Sequence, residues 1–301
     1  MRILVTGVTG QIGGALMRRL QSSGTVIAAD RAVLDLARPG KIAEGLDEIA
    51  PDLIVNSAAY TTVDQAEHAR DLAFTINAES PGVMARWAAD HRVPLVSLST
   101  DYVFNGSGNQ PWREDDAPAP LSVYGESKLA GENAIRRAGG SHLIVRTSWV
   151  YAAQGRNFFR AIAHKACEQA ELKVVADQIG APTSAAIVAD ALARILSPSR
   201  EQLQIDFAKA GGIVHLAADG FTSWHGFATA IVNGLKQRAV AVKAERVTPV
   251  STDDYPVSAA RPRNSRMDLG RLAAVFGIRP VHWAAALEPE LDQLAPSLKR
   301  C

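Results

Sequence analysis

The segment Tyr124-Gly125-Glu126-Ser127-Lys128 places a phenol and an ammonium group four residues apart. On a helix, positions i and i+4 share one face, with Cβ atoms roughly 6 Å apart. A phenol of ordinary pKa, ~10, is a poor acid or base at neutral pH. A cation ~4 Å away stabilises the phenolate by up to ~4 kcal/mol at an effective dielectric of ~20, or about 3 pKa units. That shift brings the phenol toward the range where general acid–base catalysis works best. The pair therefore points to proton transfer at a substrate oxygen, with Tyr124 as the acid and Lys128 as its electrostatic partner. The plain alternative is two exposed residues on a helix that merely covers a sheet. Ser99-Thr100-Asp101 offers a third member, because the Thr100 hydroxyl can hydrogen-bond the same oxygen. A turn or helix cap would also explain that tripeptide.

Gly7-Val8-Thr9-Gly10-Gln11-Ile12-Gly13 spaces three glycines three residues apart, directly after the apolar run Arg2 to Thr6 and at the start of a helical pattern. Gly7 allows a sharp strand-to-helix turn, and Gly10 and Gly13 let backbone amides and the helix come close to a pyrophosphate. The anion then lies against the unpaired amides and positive end of the helix. The pattern alone is weak in a chain with 23 glycines, but the strand before it and the helix after it are the context it needs. Asp30 ends the second apolar run about 20 residues further on, where a carboxylate takes the adenosine ribose hydroxyls. Arg31 beside it suits a 2′-phosphate instead, so NADH and NADPH both stay open, as does a solvated strand end.

Such residues act only if strands and helices bring them together. Arg2 to Thr6, Val26 to Ala29, Leu53 to Asn56, Leu95 to Leu98 and Leu143 to Arg146 are short runs rich in Val, Ile and Leu. Continuous apolar runs suit strands buried on both faces of a parallel sheet. Gln11 to Gln21, Asp71 to Ala89 and Val123 to Arg137 carry helical spacing between them. This alternation predicts an α/β fold with a Rossmann-type doubly wound parallel sheet. Ligands of such sheets bind beyond the carboxyl ends of the strands, which puts Thr100 and Tyr124 at one pocket. After Arg146 the rhythm loosens, with helices near Phe158 to Gln169, Ala185 to Leu196 and Phe227 to Leu235, and strands at Val174-Val175 and Ile213 to Leu216. The expected organisation is a dinucleotide-binding domain over residues 1–148, completed by segments returning near 184–220. Residues 149–183 and 221–301 then form a smaller, mostly C-terminal substrate-binding lobe.

Composition narrows the class. The 301 residues are 47% hydrophobic and 21% charged, ordinary for a globular protein and too apolar for disorder. Thirty-two basic against 31 acidic residues give a net charge of +1 with no run of one sign, which speaks against nucleic acid or a membrane surface as partner. Cys167 and Cys301 are too few for a disulfide framework. The apolar start is too short for a signal peptide and no uncharged run reaches ~18 residues, so a cytoplasmic location is expected. The seven histidines show no metal-ligand spacing. His164 and Cys167 share a helix face, but two ligands make no zinc site.

Together these stretches resemble the extended short-chain dehydrogenase/reductases and, among them, the dTDP-4-dehydrorhamnose reductase family, over nearly the whole chain. The matching stretches are Val5 to Gly13, Asn56 to Thr61 with Val63-Asp64, Ser99 to Phe104, Tyr124 to Glu132, Arg146 to Tyr151, Asp177 to Thr183 and Arg261 to Ser265. The resemblance implies an NAD(P)H-dependent oxidoreductase that reduces the C4 ketone of dTDP-4-dehydro-6-deoxy-L-mannose to dTDP-L-rhamnose. It makes Tyr124 the proton donor to the C4 oxygen, sets Thr100 on the same oxygen and Lys128 on the nicotinamide ribose, and lays Asp101 beside the sugar. It places Gly10, Gln11, Ile12, Asp30, Asp35, Leu36, Ala58, Ala59, Tyr60 and Thr61 around the dinucleotide. It sets Trp149 at the substrate, where an indole face can cover a sugar or base, although core packing would serve that residue equally. Arg261 and Arg263 would meet the diphosphate as paired guanidinium forks.

Two departures from the family pattern stand out. Tyr60 occupies a position where histidine is frequent, which alters the nicotinamide contact. Ala15 stands where some members carry a glutamate of an intersubunit magnesium site. Alanine cannot ligate, which counts against Mg2+ and against that form of dimer, while a homodimer itself stays open. Nucleotide-sugar 4,6-dehydratases need a glutamate after the aspartate, but Tyr102 follows Asp101 here. An epimerase or another reductase of the family would share these residues. A non-catalytic subunit resembling the regulatory subunit of methionine adenosyltransferase would have less reason to keep Thr100, Tyr124 and Lys128.

Overall fold

The computed structural model describes residues 1–255 and 257–298, and Cys301 lies outside the described residues. The first half comprises β1 (Arg2–Thr6), α1 (Gln11–Arg19), β2 (Thr25–Ala29), α2 (Ile42–Ile49), β3 (Leu53–Asn56), α3 (Val63–Ala66), α4 (Arg70–Phe74), α5 (Ser80–Asp90), β4 (Leu95–Thr100), α6 (Val123–Ala138) and β5 (His142–Thr147). After it come β6 (Val150–Tyr151), α7 (Phe158–Glu168), β7 (Glu171–Val175), β8 (Ile179–Gly180), β9 (Thr183–Ser184), α8 (Ala185–Ile195), α9 (Arg200–Lys209) and β10 (Ile213–His215). The chain closes with β11 (Thr222–Ser223), α10 (Trp224–Gln237), β12 (Arg246–Val250), β13 (Asn264–Ser265), α11 (Gly270–Phe276) and α12 (Trp283–Leu298).

Among the described residues, six strands form one sheet in the order β10-β5-β4-β3-β1-β2, with every neighbouring pair parallel. The apolar runs explain why. Alternate side chains of a strand face opposite sides, and here both sides are covered. Ile3 and Val5 pack with Leu16 of α1 and Val188 and Leu192 of α8, whereas Leu4 packs with Ile42, Leu46 and Met84 on the other face. From β1 the chain crosses outward to β2 and then returns to the opposite side for β3. That reversal opens a crevice at the carboxyl ends of β1 and β3.

A separate core gathers Tyr151, Phe159, Phe227, Leu235 and Leu291, with α7, α10 and α12 around the parallel pair β7 and β12. Leu272 of α11 and Ile278 pack instead against the first core. The helix expected over Asp71 to Ala89 is broken into α4, a π turn at Thr75–Glu79 and α5. Pro81 has no N–H to give the Asn77 carbonyl four residues earlier, and the widened turn accommodates that loss. β4 runs two residues past Leu98, because Ser99 and Thr100 are polar but buried and paired with Arg146 and Thr147 of β5.

Candidate active site

α6 carries Tyr124 and Lys128, and small residues seat it closely. The Ser122 hydroxyl accepts the Gly125 N–H at the helix start. A Cβ at Gly125 would lie 2.3 Å from the Tyr102 carbonyl, and one at Gly131 would lie 2.1 Å from the Asn77 carbonyl. Glycine at both positions thus lets α6 rest directly on the turn after β4 and on the π turn. Lys128 Nζ donates to the Leu98 carbonyl at 2.7 Å. The side chains of Tyr124 and Thr100 are neighbours in the cleft. Thr100 Oγ1 donates to Asp101 Oδ1 at 3.1 Å and accepts the Tyr102 N–H at 3.2 Å. Tyr102 packs edge-on against Tyr124, with ring centroids 5.5 Å apart.

Burial dominates the electrostatics of this cluster. It pushes the Tyr124 phenol up to about 12, with the neighbouring Thr100 side chain acting in the opposite direction. It pushes the Lys128 ammonium down to about 8, opposed by the Glu132 carboxylate. Asp101 is pushed up to about 6 by burial, opposed by hydrogen bonds from Ser265 and Thr100. The expectation that Lys128 draws the Tyr124 phenol toward neutrality is therefore corrected. The ammonium donates to the Leu98 carbonyl rather than to the phenol, and desolvation dominates the phenol's shift. Tyr124 accordingly holds its proton at neutral pH, which suits a donor.

The glycine turn lies across the crevice from this cluster. Gly7 has φ +67°, and a Cβ there would lie 2.7 Å from the Ala58 nitrogen. A Cβ at Gly13 would lie 2.2 Å from the Gly7 carbonyl, so glycine is required for the helix to start this close. No side chain caps α1 at Gly10, which leaves its first-turn amides to a ligand. Buried bonds tie the ends of β1 and β3 together: Thr6 Oγ1 donates to Asn56 Oδ1 at 2.7 Å, and Ser57 Oγ donates to the Thr6 carbonyl at 2.6 Å.

Gly7, Gly10, Gln11, Ile12, Gly13, Asp30, Arg31, Asp35, Leu36, Ala58, Ala59, Tyr60 and Thr61 share one cleft of about 1290 Å³ with Thr100, Asp101, Tyr124, Lys128, Trp149 and Arg261. A drug-sized ligand site holds ~300–1,000 Å³, so this cleft has room for a dinucleotide and a second nucleotide. Asp30 Oδ1 accepts the N–H groups of Ala32 and Val33, and thus caps the turn it begins. Arg31 has no hydrogen bond or ion pair among the described residues. Asp35 Oδ1 accepts the Ala37 N–H. Among the described residues, Asp101 Oδ2, Thr147 Oγ1 and Tyr151 Oη are buried without a hydrogen-bond partner, and all three residues line the cleft.

Of three residues expected at the substrate, Trp149 and Arg261 line the cleft and Arg263 does not. The Trp149 indole is stacked on Trp224, with centroids 3.6 Å apart and planes 8° from parallel, so one of its faces is taken by protein. Arg261 does line the cleft, but its guanidinium grips Asp64 through Nη1 at 3.1 Å and Nη2 at 2.6 Å. Arg263 is outside the cleft and bonds Asp253 at 3.0 Å. The two arginines are not a paired fork.

Two further side-chain connections tie these elements together. Asn77 Oδ1 accepts the Tyr60 N–H at 2.8 Å, while its Nδ2 donates to the Tyr60 carbonyl at 3.0 Å and to Ser127 Oγ at 3.0 Å. One amide thereby ties the Ala58 to Thr61 loop to the helix of Tyr124 and Lys128. Asn157 Nδ2 donates to Gln11 Oε1 at 2.8 Å, linking the glycine turn to α7, which Asn157 also caps. An Asn directly before the helical pattern at Phe158 is a capping signal that sequence alone carries.

Residues 1–295 match the family model described as RmlD substrate binding domain. A dTDP-4-dehydrorhamnose reductase of Burkholderia thailandensis is 43% identical over 95% of this chain and 97% of its own length. Among solved structures, a dTDP-4-dehydrorhamnose reductase from Clostridium acetobutylicum gives a TM-score of 0.86 at 34% identity, covering 98% of this chain and 99% of that one. The Bacillus anthracis protein of the same name, solved in complex with NADP, gives 0.87 at 33% identity over 97% of this chain and 99% of that one. By this match over nearly its whole length, the chain belongs to the dTDP-4-dehydrorhamnose reductase family.

Proposed function

We propose that this chain is an NAD(P)H-dependent oxidoreductase that reduces the C4 ketone of dTDP-4-dehydro-6-deoxy-L-mannose, giving dTDP-L-rhamnose. The observation that carries the reading is that Thr100, Tyr124 and Lys128 line the same cleft as the glycine turn. The residues present fit a dinucleotide. A Cβ would fill the cradle at Gly7 and Gly13, and the first-turn amides of α1 have no side-chain cap.

In this reading Gly10, Gln11 and Ile12 hold the diphosphate, Asp30 and Arg31 flank the adenosine, and Ala58 to Thr61 line the nicotinamide side. Bound there, the reduced nicotinamide supplies the hydride that adds to C4. Tyr124 gives its proton to the C4 oxygen, and the Thr100 hydroxyl orients that oxygen. Lys128, with its ammonium at about 8, is charged at neutral pH and offsets the charge left on Tyr124. Asp101 offers its unpartnered Oδ2 to the sugar. Arg261 reaches the diphosphate only by releasing Asp64. Among the described residues no group of three or more His, Cys, Asp or Glu could hold a metal ion, and no helix is long and apolar enough to cross a membrane. A cytoplasmic location and a homodimer without a magnesium bridge belong to the same reading, and sizing the purified protein tests the dimer.

The experiment is purified protein with the ketosugar and NADH or NADPH in turn, followed at the nicotinamide absorbance with the product sugar identified. Stoichiometric oxidation with formation of dTDP-L-rhamnose is expected. Binding of both cofactors with oxidation of neither would favour a non-catalytic binding role, and an isomerised ketosugar without oxidation would favour an epimerase.

A further inference from the structure

Burying an ion pair strips water from both charges, and such pairs persist where hydrogen bonds saturate them. Glu132 and Arg146 form one, with each side chain only 3% exposed. Arg146 Nη2 lies 2.6 Å from Oε2 and Nε 2.9 Å from Oε1, a two-pronged grip. The same Oε1 accepts the Ser99 hydroxyl at 2.6 Å. The guanidinium also lies over the Phe104 ring, 5.0 Å from its centroid. Neither Glu132 nor Arg146 lines the cleft, but Ser99, which Glu132 holds, does, between Leu98 and Thr100, which also line it. Glu132 follows Lys128 by one turn of α6. Ser99 sits between Leu98, whose carbonyl holds Lys128 Nζ, and Thr100. Arg146 is the register partner of Ser99, as Thr147 is of Thr100.

We infer that Glu132 and Arg146 are positioning residues of the reduction, whose pair locks α6 to the ends of β4 and β5 and so holds Tyr124 and Lys128 on Thr100. The inference rests on the reduction proposed above. An apolar pair would fill the same space with less desolvation, but it would not fix the rotation of α6 through three directed bonds. The pair also acts through charge. The titratable groups that share the cleft or helix face with Lys128 are Tyr124 and Glu132 on α6 and Asp101 and Tyr102 in the turn after β4, with Arg146 on β5 bound to Glu132. Of these, Glu132 is the one that opposes the effect of burial on Lys128.

The test measures reduction of dTDP-4-dehydrorhamnose against pH, and NADPH affinity by nicotinamide fluorescence, in wild type, Glu132→Gln, Glu132→Asp and Ser99→Ala. Glu132→Gln keeps the shape and removes the charge. Its kcat falls at least ~10-fold, the scale of a misplaced reacting group, while KM for both substrates stays within ~2-fold. The alkaline limb of its kcat profile moves to lower pH, because Lys128 loses the charge that sustained it. Glu132→Asp returns that limb toward the wild-type position. Ser99→Ala deletes one bond without a charge change, folds even if the glutamine variant does not, and loses kcat by a few-fold with NADPH affinity kept. Wild-type kcat in Ser99→Ala, or a fall in kcat, affinity and melting temperature together with an unmoved alkaline limb in Glu132→Gln, would overturn the positioning role. A wild-type protein that binds NADPH without turnover refutes the reduction instead. The alkaline weakening of NADPH affinity, which needs no turnover, then still reads Lys128, and an unmoved midpoint in Glu132→Gln would defeat the inference by itself.

Discussion

At Tyr124 and Lys128 burial acts on both groups in the direction that favours the neutral form, raising the phenol to about 12 and lowering the amine to about 8. The phenol keeps its proton until a substrate oxygen takes it. Tyr124→Phe should leave NADPH affinity within ~2-fold and cut turnover at least ~100-fold, the contribution of a general acid; unchanged turnover would remove Tyr124 from the chemistry. Lys128 makes a second, thermodynamic prediction. Its amine titrates near ~10.4 in the unfolded chain, so between pH ~8 and ~10 the unfolded state binds more protons than the folded one. Stability therefore rises with pH across that window, and the burial penalty is complete below it. Lys128→Met should flatten that rise in melting temperature while weakening both turnover and NADPH binding; an unchanged slope would contradict the burial argument. The phenol and amine were legible because their spacing is rare and chemical. The direction of their titration was not, because it depends on how deeply α6 seats, which residue types alone do not reveal.

α6 seats through glycines, and this level of the account is tested there. Gly131→Ala should push the helix off the Asn77 carbonyl, which a Cβ would approach to 2.1 Å. Overpacking of this kind costs ~1–3 kcal/mol, and turnover should fall with it, since Tyr124 and Lys128 ride on the same helix. Normal turnover and melting temperature would show that α6 tolerates displacement. The strands were legible because Ile3, Val55, Val96 and Val145 lie in continuous apolar runs buried on both faces. The π turn was not, because Asn77 inside an apolar pattern reads as an ordinary helical position until its partners at Tyr60 and Ser127 are known. α9 carries little apolar periodicity, because only its Leu203 and Phe207 are buried. In α12 Pro289 and Pro296 interrupt an otherwise helical pattern.

Across the whole molecule the late segment around residues 257–263 is strapped to the first half by Arg261, which grips Asp64, and by the Ala259 N–H on Asp64 Oδ1 at 3.1 Å. Arg261 holds the Asp64 carboxyl below its ordinary range. The resulting stability is present above the unfolded value of ~3.9 and lost as pH falls through the lower folded one. Asp64 is about half exposed, so a double-mutant cycle of Asp64→Asn and Arg261→Ala in thermal unfolding should give a coupling of only ~0.5–1 kcal/mol at neutral pH. No coupling would mean that the strap is ornamental. This long-range pairing, 197 residues apart, is why Arg261 read as a substrate contact: sequence shows the guanidinium but not its partner. The central claim is that this cleft carries out hydride addition to a ketosugar, and isotope transfer tests it most directly. With NADPH deuterated at the transferable position of its nicotinamide, the account predicts one deuterium at C4 of the rhamnosyl product in wild type and almost none in Tyr124→Phe over the same time. Product without deuterium at C4, or equal labelling in both proteins, would contradict it.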